Sequence, residues 1–355
     1  MQEHEAPSRD GFLGRNPSTK DFISQPNQKA CQPGWKELTL SPVPAGPTIF
    51  AIGSGERVSS ALPDTTRQHS WTESKPRVGI VVSTIGRPTS LQRLFASLEA
   101  QTFPVNTLVV ADQSSTMETT SVAEAWASRL PLTVVPSRGG LSQGRNDGLA
   151  ALPPCDIVAF PDDDCWYAPN TVANAVEEIM TGCMMVSGRL VTPGDMKPSR
   201  VRFGSQPLTL GRRSIWTHAV EAACFFRQEV FETYGVFNTE LGVGCPTPWQ
   251  SGEGTELLWR ALNNGALLGY SPRITVFEEA GADLSPAIYL RKTREYARGT
   301  GRVIRLHQNR WEFTAAVIRP AVRGFLNLLR LRVGTARLCL HTILGRCEGY
   351  TGRLV

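Results

Sequence analysis

The chain has 355 residues, 41% hydrophobic and 19% charged, with a formal net charge of +5. That length suits one large domain with appendages, or two modest ones. No apolar stretch approaches the ~18–20 residues of a spanning helix, which excludes a membrane-threaded chain. The eight cysteines form neither a CxxC pair nor a zinc-type Cys/His spacing, so reduced thiols in a cytoplasmic compartment are expected.

Residues 1–76 are rich in Pro, Ser, Thr, Gly and Gln without sustained periodicity, and are expected to be disordered or a loosely packed extension. The opening MQEHEAPSRDGF has no apolar signal core. GSGERV (53–58) lacks the third glycine of a dinucleotide-binding loop. After Arg77 the character changes. VGIVVST (78–84) is a β-branched run of the kind that forms a strand buried on both faces. SLQRLFASLEAQ (90–101) places Leu91, Leu94, Phe95 and Leu98 at helical spacing, with Ser90 as its cap.

The alternation continues with a strand at TLVVAD (107–112), a helix at 119–129, a strand at LTVVPS (132–137) and a helix at 142–152. It goes on with a strand at DIVAF (156–160), a helix at 169–181 and a strand at CMMVSGRLV (183–191). Strands alternating with helices of this length predict an α/β domain over 77–285 with a mainly parallel sheet. Ligands of such sheets gather at the carboxyl ends of the strands. Asp112 and the triplet Asp162, Asp163 and Asp164 each follow a strand and are expected to face one crevice.

Three adjacent carboxylates repel one another, and their common physical resolution is a hard divalent cation, Mg²⁺ or Mn²⁺. A solvated acidic turn is the alternative. GGLSQGRNDGLAA (139–151) places Arg145 and Asn146 at a helix beginning, which suits phosphate or sugar oxygens. Arg87, in STIGRP, follows the first strand on the same sheet edge.

VVSTIGRPTSLQRLFASLEAQT, VVADQSS, GGLSQGRNDGLAAL and FPDDDCWYAPN resemble, in order and spacing, the signature segments of family 2 glycosyltransferases, over about residues 77–310. The resemblance implies a GT-A fold and an inverting, metal-dependent hexosyl transfer from a nucleotide-diphosphate sugar. The acceptor it implies is a glycan or lipid-linked molecule of cell-surface polysaccharide biosynthesis, and no nucleic acid is expected. It places Thr84 and Asp112 on the nucleotide, Arg145 on the sugar-donor side, and Asp162 and Asp164 on the metal as a DxD motif. Asp163 belongs to the same run, and Arg87 joins the donor-binding candidates by its position.

Inversion needs a general base for the acceptor hydroxyl. PTPWQSGEGTELLWRALNNG (246–265) has a helical apolar face at Leu257, Leu258, Ala261 and Leu262, with Glu253 at its start, where the helix dipole stabilises a carboxylate. The family carries Glu-Asp-x-Asp/Glu-Leu here, with the aspartate as base, and this chain reads Glu253-Gly254-Thr255-Glu256-Leu257. Glu253 is therefore the first candidate for the base and Glu256 the second. Glu256 has the alternative of a capping arrangement with Gly252 or Ser251. A chain that had lost its base would be a catalytically inactive nucleotide-sugar or glycan-binding protein. Trp249 offers a ring plane to an acceptor-side sugar, or else a packing role. In RITVFEEAG (273–281), Glu278 and Glu279 are either oxygen ligands or solvated.

From Pro286 onward the chain holds 14 Lys and Arg against 3 Asp and Glu. Ile318, Val322, Phe325 and Leu329 recur at i, i+4, i+7 and i+11, beside a stripe of Arg319, Arg323 and Arg330. Residues 286–355 are thus expected to form basic amphipathic helices. These either dock peripherally on the cytoplasmic face of a membrane or pack on the protein's own body.

Overall fold

A computed structural model describes residues 75–193, 203–279 and 284–354. The expectations for residues 1–74, GSGERV included, lie outside the described residues. In chain order the elements are β1 (Val78–Thr84), α1 (Pro88–Glu99), β2 (Thr107–Asp112), α2 (Glu118–Trp126), β3 (Leu132–Pro136), α3 (Leu141–Ala150) and β4 (Ile157–Ala159). There follow β5 (Cys165–Tyr167), α4 (Thr171–Met180), β6 (Met185–Val191), β7 (Leu208–Thr209), α5 (Ile215–His218), a 3₁₀ turn (Glu221–Ala223), β8 (Cys224–Arg227) and α6 (Glu229–Tyr234). The series closes with α7 (Glu253–Asn263), β9 (Leu268–Glu278), α8 (Pro286–His307), α9 (Arg310–Leu329) and α10 (Val333–Thr351).

Among the described residues nine strands form one sheet in the order β3-β2-β1-β4-β8-β6-β9-β5, with β7 paired to β9. β1 to β4 are parallel, as are β6 and β9, while β8 runs antiparallel to both β4 and β6. The sheet is mainly parallel, as the alternating pattern requires. All of β1 is buried. Its alternate residues serve two apolar layers. Ile80 and Val82 pack with Leu91, Leu94 and Phe95 of α1, and Val81 packs on the other face with Phe160, Leu257 and Trp259. Each such side chain withdrawn from water contributes about 1.5–3 kcal/mol, which makes β1 the anchor of both layers.

Two local readings are corrected. α1 begins at Pro88 with Arg87 in the cap position, not Ser90. The proline ring fixes φ for the first turn and has no amide hydrogen to satisfy, so it sets the start without a side-chain cap. The aspartate triplet leads into a short strand, β5, antiparallel to β9, rather than directly into α4. Three residues are too few for a period-2 pattern to appear in sequence.

The basic tail forms three helices. α8 and α10 approach so closely that a Cβ on Gly349 would lie 1.9 Å from the carbonyl oxygen of Arg298. Buried Glu348 of α10 accepts from both Arg294 and Arg298 of α8. α8 also reaches the main body, where buried Val303 joins the same apolar layer as Trp249 and Leu257. Among the described residues no helix is long and apolar enough to cross a membrane.

Candidate active site

Strand order reverses direction between β1 and β4, the position where an open α/β sheet leaves a crevice at its carboxyl edge. β1 ends at Thr84, in register with Asp112 at the end of β2, and β4 delivers the aspartate triplet beside them. Thr84 Oγ1 donates to Asp163 Oδ2 at 2.7 Å, and Arg87 Nη1 donates to both Asp163 Oδ1 and Asp164 Oδ2 at 2.8 Å. Asp163 is therefore the inward member of the triplet. Burial raises its pKa against the pull of the Thr84 hydroxyl and the Arg87 charge. Asp162 and Asp164 are more open, with about a third of each side chain exposed (36% and 34%).

Arg145 is the hinge of the electrostatics. Gly144 and Gly148 let α3 lie directly on β1, since a Cβ at Gly144 would come within 2.1 Å of Ser83 Oγ and one at Gly148 within 2.4 Å of Val81 Cγ1. That close approach sinks the Arg145 side chain to 2% exposure. Its Nη2 donates to Asp162 Oδ1 at 2.9 Å and its Nη1 to Glu253 Oε1 at 3.2 Å. Burial disfavours the guanidinium charge, but Asp162, Glu253 and Glu221 outweigh it and raise the pKa. One buried cation thus links the triplet to the start of α7, where Glu253 lies 108 residues beyond Arg145.

The two glutamates proposed as base are separated by the structure. Glu256 is buried, 2.9 Å from Arg260 Nε and 2.9 Å from His307 Nε2 of α8, and makes no cap bond with Ser251 or Gly252. Its ion pairs hold α8 to α7, and the absence of a side-chain cap bond corrects the capping reading. Glu253 follows Gly252, whose φ of 92° places the chain in the left-handed region that only glycine enters freely. Burial and the charge of Glu221 push the Glu253 pKa up to about 7, against the opposing pull of Arg145.

Glu221 itself has no counterpart in the sequence reading. Its Oε1 accepts from the Thr255 backbone at 3.1 Å. Its side chain fills the space above Gly254, where a Cβ would lie 1.8 Å from Glu221 Cγ and 2.5 Å from its Oε1. The only sequence signal was the glycine itself, at the position where the resemblance expects an aspartate.

Trp249 is 8% exposed and sits in the apolar layer with Leu257 and Trp259, so it is a core residue and not an open platform for a sugar ring. Glu279 pairs with Arg93 at the surface, whereas Glu278 is buried on β9 opposite Cys165 rather than solvated. Asp112 Oδ1 caps the turn after β2 by accepting from the Ser114 backbone at 2.9 Å.

Among the described residues Asp162, Asp164 and Cys165 form the group whose ligand atoms all lie within 4.8 Å of one another. The arginine partners occupy Asp162 Oδ1 and Asp164 Oδ2, so each carboxylate retains a second oxygen. Two carboxylates that are each about a third exposed suit a hard cation that keeps other positions for water or phosphate, and the buried thiol does not. The donor set fits Mg²⁺ or Mn²⁺.

Residues 79–235 match the model of the family described as glycosyl transferase family 2. The curated relative O-antigen chain rhamnosyltransferase WbaN from Salmonella anatum is 24% identical over 179 residues, 46% of this chain and 56% of the relative, so the match spans little over half of that protein. A structure of the mannosyltransferase PcManGT from Pyrobaculum calidifontis in complex with GDP-Man and Mn2+ aligns at a TM-score of 0.55 with 19% identity, covering 78% of this chain and 88% of that one. A looser likeness, at a TM-score of 0.46 and 17% identity, covers 78% of this chain and 92% of S. aureus TarS 1-349 in complex with UDP-GlcNAc. With the mixed sheet, its crevice and the likeness to PcManGT, residues 79–235 form a GT-A-type domain that matches glycosyl transferase family 2.

Proposed function

We propose that the chain transfers a hexosyl group, with inversion, from a nucleotide-diphosphate sugar to a glycan or lipid-linked acceptor in surface-polysaccharide assembly. The observation that carries this reading is the Arg145 bridge. It holds Asp162 and Glu253 in one network, so the end that would bind a diphosphate and the end that would handle an acceptor proton share a buried cation. Thr84, Arg87 and Asp163 brace the triplet, leaving Asp162 and Asp164 to hold Mg²⁺ or Mn²⁺. When bound, that ion would supply charge stabilisation for the departing nucleoside diphosphate. Asp112, at the neighbouring strand end, contacts the nucleoside. The polysaccharide setting is supported by the rhamnosyltransferase relative.

The tail supports an amphiphilic acceptor. Ile318, Val322, Phe325 and Leu329 are 52–66% exposed along one face of α9, so they do not pack on the body. A cavity of about 1140 Å³ between α8, α9 and α10 is lined by Arg213, Arg319, Arg323 and Arg346. Among the described residues none of these four forms an ion pair. Arg346 is half-buried, and burial and the Arg319 charge lower its pKa. An anionic lipid surface and an acceptor carrying phosphate would both complement this face, which supports reading it as a peripheral contact with a membrane.

The test is a panel of UDP-, GDP- and dTDP-sugars with and without Mn²⁺, read by thermal shift and by release of nucleoside diphosphate. One sugar nucleotide should raise the melting temperature in a metal-dependent way and be turned over. Binding without turnover on any glycan acceptor would leave a non-catalytic binding protein instead.

A further inference from the structure

We propose that Glu221, and not Glu253, takes the proton of the acceptor hydroxyl. The inference rests on the glycosyl-transfer reading above and concerns the same site. A general base must come within about 2.6–3.2 Å of the hydroxyl it serves. Glu253 is poorly placed for this, because it is 6% exposed, its Oε1 is committed to Arg145, and a side chain at Gly242 would come within 3.3 Å of its carboxyl group. Glu221 is only half-buried. It lines a cavity of about 360 Å³ together with Trp216, Ser251, Gly252, Thr255 and Tyr296. This cavity shares Trp216, Thr293, Thr300, Thr342 and Arg346 with the large arginine-lined cavity, so a path runs from the tail helices to the Glu221 carboxylate.

The local sequence is built to hold the carboxylate there. Residue 254 is glycine, and any larger side chain would collide with Glu221 Cγ, Cδ and Oε1 at 1.8–2.6 Å. The Thr255 amide at the first turn of α7 holds Oε1, which leaves Oε2 as the proton acceptor. The charge of Glu221 also acts on both Arg145 and Glu253, which sets it at the acceptor end of the same network. In the step, the acceptor oxygen bonds to the anomeric carbon while the bond from that carbon to the phosphate oxygen breaks. The hydroxyl proton passes to Glu221 Oε2, and the nucleoside diphosphate leaves with the bonding pair.

Three variants decide it: Glu221→Gln, Glu253→Gln, and the double variant Glu221→Ala/Gly254→Asp. The probe is the same panel of sugar nucleotides, with water as the acceptor and nucleoside-diphosphate release as the rate; donor-induced thermal shift reports binding. Glu221→Gln keeps the bond from Thr255, so the fold and the donor shift should persist while release falls about 10²-fold or more. The double variant, in which a carboxylate re-enters the vacated space from position 254, should recover at least a tenth of the wild-type rate, whereas Glu221→Ala alone should not. Unchanged release in Glu221→Gln overturns the assignment, as does a folded double variant no faster than Glu221→Ala. If the wild-type protein itself releases nothing from any sugar nucleotide, with water or with any glycan acceptor, it is the glycosyl-transfer reading that fails.

Discussion

Asp162 and Glu253 share one buried arginine, and burial makes Glu253 an unusual acid. Glu253 illustrates the consequence for stability. Its folded-state pKa of about 7 lies above the ordinary 4.5 of a glutamate, because burial and Glu221 disfavour its charge. Between those values the folded chain holds a proton that the unfolded chain has lost. The group's stabilising contribution is therefore complete below about pH 4.5 and disappears as pH rises through about 7. Melting temperatures measured between about pH 4.5 and 8 should fall across that window, and Glu253→Gln should flatten the decline.

At the same scale, the metal-binding assignment predicts that Asp162→Ala/Asp164→Ala abolishes the Mn²⁺ dependence of the donor thermal shift, while Asp163→Ala chiefly loosens Thr84 and Arg87. Retained manganese binding in the double alanine variant, seen by calorimetry, would refute it. The triplet was legible in sequence because like charges packed side by side demand an explanation. The Arg145–Glu253 contact was not, since no local pattern connects residues 108 apart. Trp249 was left with two readings for a related reason: an indole serves a core as well as a binding face, and only burial separates the two.

Elements were more readable than sites. The helices and strands from Val78 to Val191 fall within a few residues of the periodic segments, because β1, α1 and α4 bury clean apolar faces. What escaped was short or tertiary: β5 with three residues, and the partnership of α8 with α7. The junction of α8 with α10 depends on glycine for lack of volume, not for flexibility. Gly349 lies against the carbonyl of Arg298, and a leucine there would have to displace backbone. Gly349→Leu should cost about 3 kcal/mol, at the upper end of overpacking effects, and Gly349→Ala less. Urea denaturation monitored by circular dichroism would measure both, and neutrality of the leucine variant would contradict the packing described.

For the molecule as a whole, charge is distributed by function: 14 of the 37 Lys and Arg lie after Leu284, and the acidic crevice lies in the body. The apolar face of α9 with Arg319 and Arg323 beside it should give binding to phosphatidylglycerol vesicles that weakens with salt and is absent with neutral vesicles. Arg319→Glu/Arg323→Glu should lower that binding tenfold or more in a sedimentation assay, at about 1 kcal/mol per basic residue removed, without altering the melting temperature. Equal binding to neutral vesicles would argue against an electrostatic contribution.

α8 belongs to both halves. It donates its His307 to Glu256, receives the Ser251 hydroxyl on the carbonyl of Tyr296, and seats Gly252 against Gly299 and Val303. A protein engineer trimming the chain at residue 285 to isolate a minimal catalytic fragment would therefore remove the wall that props the acid-bearing loop. The truncated product would keep the strand-end crevice yet lose the scaffold that steadies Glu253 beside it.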